Sequence, residues 1–295
     1  MTSGAPTYRA GVAPILSVLI VFLAIWTLAA IALNWQTTSD RLAREDPAYG
    51  TAALVAATLS SDRPILPAPH KIVAEMANTI FGVRPSSPRS LLFHAGVTLS
   101  STLLGFAMGT LLGIALALGI LNSRTLDKSL MPWIIASQTI PILAIAPMMI
   151  VVLNSVGVTG LVPKALISTY LSFFPVTVGM VKGLRSPDRM HLDLMRTYAA
   201  STTQLLYKLR LPASLPFLFA SMKVAVAAAL VGAIVGELPT GARAGLGARL
   251  LAGSYYGQTI QIWSALVMAA LMAGCLVAAI SLAERAVLAR TGQAR

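Results

Sequence analysis

Few residues in this 295-residue chain could make or break covalent bonds. Its histidines are His70, His94 and His191 and its lone cysteine is Cys275, with no metal-ligand spacing among them. No nucleophile, base and orienting acid fall into one pattern, and no Gly-rich loop ending in Lys-Ser or Lys-Thr is present to cradle a triphosphate. Catalysis, a bound metal and ATP hydrolysis by this chain are therefore not expected. The informative side chains are polar residues set inside apolar runs. Gln138 lies between Ser137 and Thr139, just before Pro141, and its amide has four hydrogen-bonding positions that a helix alone does not satisfy. These four residues, with Ser172, are the candidates for a polar path. Glu237 closes an apolar run, where it either bonds a neighbouring segment or reaches water. A different pattern occupies residues 183–212: Leu192, Met195, Ala199, Leu205, Leu206 and Leu209 punctuate basic and hydroxyl residues. One or two short helices ending at Leu211-Pro212 fit it, with Asp193 placed to cap a helix start or pair with a nearby base.

The elements that must hold these residues are membrane spans. Hydrophobic residues make up 56% of the chain, charged ones 11%, and the mean hydropathy is +0.77. A soluble domain of this size needs more charge to cover its surface. The net charge of +12 is scattered between apolar runs rather than clustered, which excludes a nucleic-acid surface and fits the positive-inside bias of membrane proteins. Six runs are long enough to cross a bilayer as helices, at about 14–35, 92–121, 132–153, 163–182, 217–236 and 260–282. The first is read as a retained helix rather than a cleaved signal, because no small-residue cleavage site follows Asn34 and Trp35. Pro141, Pro147, Pro163 and Pro175 mark kinks in the third and fourth. Gly105, Gly109 and Gly113 recur on one face of the second, so another helix can approach there.

The fold class expected is therefore all-α and polytopic. Four stretches follow: residues 1–35 with the first span, an external segment 36–90, a core 91–285 and a tail 286–295. Within 36–90, Ile72, Val73, Met76, Ala77 and Ile80 recur at helical spacing after Pro69, as in an amphipathic helix at the outer interface. Six of the Lys and Arg residues fall in 182–210, others lie near the two termini (Arg9, Arg285, Arg290 and Arg295), and the short opposite loops hold only Lys164, Arg243 and Arg249. Both termini are accordingly expected in the cytoplasm.

Asp193-Leu194-Met195-Arg196-Thr197-Tyr198-Ala199-Ala200-Ser201, followed by Leu209-Arg210-Leu211-Pro212, resembles the coupling loop of binding-protein-dependent ABC importer permeases. That loop reads Glu-Ala-Ala, three residues, Gly, nine residues, then Ile-x-Leu-Pro. Here Asp193 stands for the acid, Leu194-Met195 for the alanines and Ala199 for the glycine, so the backbone at Ala199 is expected to be helical or extended. Ser137-Gln138-Thr139-Ile140-Pro141 with Ala146-Pro147, Phe173-Phe174-Pro175, Gly236-Glu237 and Gly245-Leu246-Gly247 resemble the nitrate, sulfonate, taurine and pyrimidine-precursor branch, over about residues 65–285.

The resemblance implies a type I ABC importer permease in the bacterial inner membrane. It implies partner ATPase subunits that bind ATP and Mg, a periplasmic solute-binding protein, a permease homodimer and surrounding lipid, with no cofactor on this chain. Residues 193–196, 199–201, 209, 211 and 212 would couple to the ATPase. The solute implied is a small organic one: a pyrimidine-like heterocycle, or alternatively a sulfonate, taurine or nitrate, against which the absence of Lys or Arg in the third span weighs. An ion-coupled secondary transporter is the more distant alternative; it would call for a mid-depth acid and inverted repeats, and neither is evident.

Overall fold

A computed structural model describes residues 12–45, 49–239, 242 and 244–290. Arg9, Arg243 and Arg295, which entered the orientation argument, lie outside them. Every regular element among the described residues is helical. Two compact units divide the chain, one of Met1–Arg84 with Ala252–Ser264, the other of Pro85–Leu251 with Ala265–Arg295.

The first unit is built on α1 (Val12–Glu45), with α2 (Thr51–Ser60) and α3 (Pro69–Phe81). Helix α1 runs ten residues past the expected end at Trp35, because no proline or glycine interrupts 36–45 and polar side chains suit water there. At about 51 Å it is longer than a hydrocarbon core is thick. Its apolar half, from Ile15 to Leu23, is exposed along its length, whereas Ala30, Asn34 and Thr38 are buried at helical spacing.

Asn34 is the key to this unit. Its Nδ2 donates to Ala30 O at 2.7 Å and Leu66 O at 2.8 Å, and its Oδ1 accepts from Ile65 N–H at 2.6 Å. Trp26 Nε1 donates to Pro67 O at 3.0 Å. Side chains of a spanning helix thus satisfy the backbone of an irregular connection, the condition under which such a connection is tolerated at membrane depth. Asn34→Leu leaves Ile65 N–H and Leu66 C=O unpaired and is expected to cost about 2–4 kcal/mol. Detergent-titrated unfolding measures it, and an unchanged midpoint would refute the clip.

The second unit centres on three helices, α4 (Leu91–Asn122), α7 (Leu161–Leu184) and α10 (Leu211–Gly236). The glycine face of α4 receives α7. A Cβ at Gly105 would lie 2.2 Å from Ser168 Cβ, and one at Gly109 2.0 Å from Ser172 Oγ. In lipid, where apolar surface has no reason to hide, such close backbone approach supplies the packing. Beside this layer run α5 (Arg124–Ala136) and α6 (Ile142–Ser155). At one end Ile134 joins Ala117, Ile120, Met180, Val181 and Leu184 in a buried cluster, and Asp127 pairs with Arg185 at 2.8 Å. Near the other end Ala146 packs with Ile167 and Val235.

The expected third span is therefore a broken pair, α5 and α6 meeting at 100°. Among the described residues, five helices are long and apolar enough to cross a membrane, or six with this pair as one span. The break follows from Pro141: it offers no N–H, and it holds Ile140 extended (φ −82°, ψ 123°) after a single 3₁₀ turn over Ser137–Thr139. Pro147, by contrast, is accommodated inside α6.

The polar segment between α7 and α10 forms α8 (Arg189–Thr197) and α9 (Thr202–Leu205), in agreement with two short helices. Their expected end at Leu211-Pro212 is not an end. Helix continues from Thr202 to Gly236 through a wide π turn at Leu206–Arg210, in which Leu211 N–H donates to Leu206 O. Proline suits the first turn of α10, where its missing N–H is not needed, and the wider turn makes room for the ring. The chain closes with α11 (Leu246–Tyr255) and α12 (Thr259–Arg290).

Candidate functional site

Apart from Ser172, the side chains singled out in the sequence fall at three places in the second unit. The first is the α8–α9 segment. Asp193 is the fifth residue of α8 and pairs with Arg196 at 2.8 Å, both exposed, so it takes the pairing option rather than the cap. Ser201 does the capping: its Oγ accepts from Gln204 N–H at 3.2 Å, while Gln204 Oε1 accepts from Ser201 N–H at 2.9 Å. Met190, Leu194 and Tyr198 recur every four residues and are 81%, 53% and 77% exposed. An otherwise polar helix thus presents a large apolar stripe. Met195, Ala200, Leu209, Leu211 and Pro212 are half-buried behind it.

Ala199 departs from expectation. Its φ of +48° makes it the one non-glycine residue with positive φ among those described. The cause is the helix end. Ala199 N–H donates to Arg196 O at 2.9 Å and Ala200 N–H to Met195 O at 3.0 Å, the bond pair of a Schellman motif whose left-handed position usually holds glycine. The two bonds dictate the conformation and the alanine pays in strain. Ala199→Gly is expected to raise stability by about 0.5–1 kcal/mol, left-handed relief less the entropy of glycine. A lowered thermal midpoint would contradict this reading.

The second place is the α5–α6 break. Ser137, Gln138, Thr139 and Pro141 come together there. Ser137 and Thr139 spend their hydroxyls on Ile134 O and Ala136 O, and the Tyr170 hydroxyl donates to Ser137 O. Gln138 is exposed and uses one N–H on Ser137 Oγ at 3.4 Å, leaving its remaining amide positions facing outward. No charged residue lies between Lys128 and Lys164. Ser172 is elsewhere, buried in the α4–α7 seam with its Oγ on Gly105 O and Thr169 O at 3.3 Å.

The third place surrounds Glu237, one residue past α10. Its carboxylate is fully buried and accepts from Thr98 Oγ1 at 2.9 Å and Gly247 N–H at 2.9 Å, with Lys164 Nζ at 3.8 Å. Burial pushes its pKa up to about 7, opposed by the Gly247 N–H, Lys164 and Thr98. Thr98 Oγ1 also accepts from Leu246 N–H at 2.8 Å. His94 Nε2 faces Pro88 O at 2.9 Å, which can only accept, so Nε2 donates there, while Nδ1 lies 3.0 Å from both the N–H and the carbonyl O of Gly245. Gly245 has φ +123°, and a Cβ there would lie 2.1 Å from Glu237 Cδ. The Gly245–Gly247 loop is thus fastened to α4, α7 and α10 together.

Three of these partners, His94, Thr98 and Lys164, were not read as a cluster from sequence. Nor was Lys223, on α10, which forms a half-buried ion pair with Glu284 of α12. A lone lysine in an apolar run was the available signal. Among the described residues no group of His, Cys, Asp or Glu could hold a metal ion.

Apolar helices long enough to cross a membrane, interrupted by a short helix that exposes an apolar stripe, are the framework a transport permease needs. Residues 109–293 match the family described as binding-protein-dependent transport system inner membrane component, and the chain belongs to that family. It is the transmembrane permease subunit of an ABC importer. A Haemophilus influenzae protein described as a probable ABC transporter permease protein is 35% identical over 62% of this chain and 73% of its own length. The formylaminopyrimidine transport permease protein ThiX of Halalkalibacterium halodurans is 34% identical, over 62% and 68%. The riboflavin transport system permease protein RibX of Chloroflexus aurantiacus is 32% identical, over 65% and 70%. In fold, the chain is similar to the inward-facing MetNI methionine ABC transporter, with a TM-score of 0.58 at 18% identity, over 67% of this chain and 95% of that one.

Proposed function

We propose that this permease passes a small uncharged heterocycle of pyrimidine type, delivered by a periplasmic binding protein, across the bacterial inner membrane. Two copies of the chain form the path, both termini lie in the cytoplasm, and two ATPase subunits carrying ATP and Mg²⁺ drive it. The observation that carries the solute class is the α5–α6 break. It presents the Gln138 amide in a stretch without charge, and an amide matches the paired donors and acceptors of such a ring, whereas an anion calls for a cation. Two of the relatives are named for heterocycles, formylaminopyrimidine and riboflavin, which supports the same class. Irregular backbone at membrane depth also fits only where it lines a cavity or is covered by protein.

The Leu194 stripe and the Schellman end at Ala199 are the coupling surface in this reading. The test is a thermal-shift screen of the cognate binding protein, followed by uptake into proteoliposomes holding permease and ATPase. A formylaminopyrimidine is expected to stabilise the binding protein and to be imported with ATP. Stabilisation by taurine or a sulfonate alone would overturn the solute class, and ATP-independent uptake by the permease alone would overturn the assembly.

A further inference from the structure

Helix α3 is apolar over a wider arc than the protein covers. Ile72 is buried and Met76 and Ile80 half-buried, whereas the adjoining stripe of Val73, Ala77 and Phe81 stands exposed, Val73 by 65% and Phe81 by 87%. The polar residues Lys71, Glu75 and Asn78 occupy the far side, and the exposed His70 heads the strip at its N-terminal end. On a helix, residues four apart lie one above the other, so the three exposed residues form a single continuous strip.

The depth of this strip follows from what precedes it. The connection just before Pro69 is bonded to α1 at Trp26 and Asn34, through Pro67 O, Leu66 O and Ile65 N–H. Both anchors sit in the apolar run of α1, whose neighbouring surface is exposed at Leu28 and Leu33 and turns polar from Gln36. At 1.5 Å per residue, Asn34 and Trp26 are about 3 and 15 Å along the axis from Gln36, where the polar end of α1 begins. The start of α3 is therefore held below the level at which α1 meets water. An apolar strip that begins there continues the lipid-facing surface of α1.

We propose that α3 is an in-plane membrane anchor whose Val73, Ala77 and Phe81 strip is embedded in the acyl chains of the leaflet at the C-terminal end of α1, with the occupant being lipid rather than protein. Its polar side, with the Lys71–Asp62 pair at 3.5 Å, faces the headgroups and water. This role is independent of which solute is carried and of which side of the membrane the leaflet faces.

Site-directed spin labelling tests it. Cysteine is introduced singly as Val73→Cys, Ala77→Cys, Phe81→Cys and, on the polar side, Asn78→Cys, in a Cys275→Ser background, and each nitroxide is measured in the full-length permease in proteoliposomes. All four sites are exposed, so the changes remove no packing. Oxygen, which concentrates in acyl chains, is expected to collide with labels at 73, 77 and 81 several-fold more often than a water-soluble nickel chelate does, with the order reversed at 78. Nickel accessibility at 73, 77 and 81 equal to that at 78 would overturn the proposal in favour of a solvated face. Low accessibility to both agents would overturn it in favour of a protein partner on the strip.

Discussion

A permease carrying Leu194→Glu with Tyr198→Glu reaches the membrane at the level of the unaltered chain and imports nothing. Both side chains stand outside the fold, 53% and 77% exposed, on and just past a helix whose other exposed residues, apart from Met190, are polar. Removing them subtracts no internal packing, so insertion and folding are unaffected. If the stripe enters a cleft of the ATPase, each glutamate must be stripped of water without a partner, at a cost of a few kcal/mol. Two such charges weaken association by two decades or more. The expected readings are normal membrane abundance, ATPase subunits that no longer co-purify, and uptake at background. Wild-type uptake would show that α8 is a solvated turn with incidental apolar residues.

Gly245→Ala is expected to be the most damaging single change in the second unit. The backbone at φ +123° suits glycine almost exclusively, and the added carbon would meet Glu237 Cδ at 2.1 Å, inside a cluster closed on three sides by α4, α7 and α10. Strain of about 1–3 kcal/mol comes from the dihedral alone, and displacing the carboxylate breaks its bonds to Thr98 and Gly247. A total above about 3 kcal/mol is expected, read as a sharp fall in folded protein after mild detergent challenge. Glu237→Gln serves as the comparison, since an amide keeps one acceptor for Gly247 N–H and fits the same space. Equal stability of Gly245→Ala and the unaltered chain would mean that the loop is not fastened as described.

Much of this architecture is legible in the sequence because membranes reward simple patterns. Apolar runs near twenty residues give the spans, and the spacing from Asp193 to Pro212 gives the polar segment between two of them. What was not legible depends on geometry that spacing does not encode. Pro141 and Pro147 look alike in the sequence, yet one ends a helix at a 100° turn and the other sits inside one. Pro212 reads as a terminator, but a π turn ahead of it lets the helix continue. Ala199 was expected to avoid the left-handed region, and the two hydrogen bonds that force it there become visible only with the helix end in three dimensions. The partners of Glu237 come from 139 residues away in the case of Thr98, and Lys223 finds Glu284 61 residues on; no local pattern announces either.

The wide turn at Leu206–Arg210 has a consequence for anyone building hybrid transporters. From Thr202 to Gly236 the chain is one rod, about 52 Å long, joining the polar segment to the Glu237 cluster. Each residue added to or removed from such a rod rotates one end against the other by about 100°. A segment grafted from a relative whose corresponding turn is α-helical throughout would differ by that step in phase, and its apolar stripe would point a quarter-turn or more away. Compatibility between coupling segments and spans is thus a matter of residue count between Ala199 and Pro212, and two grafts of equal sequence similarity will differ in transport when their counts differ.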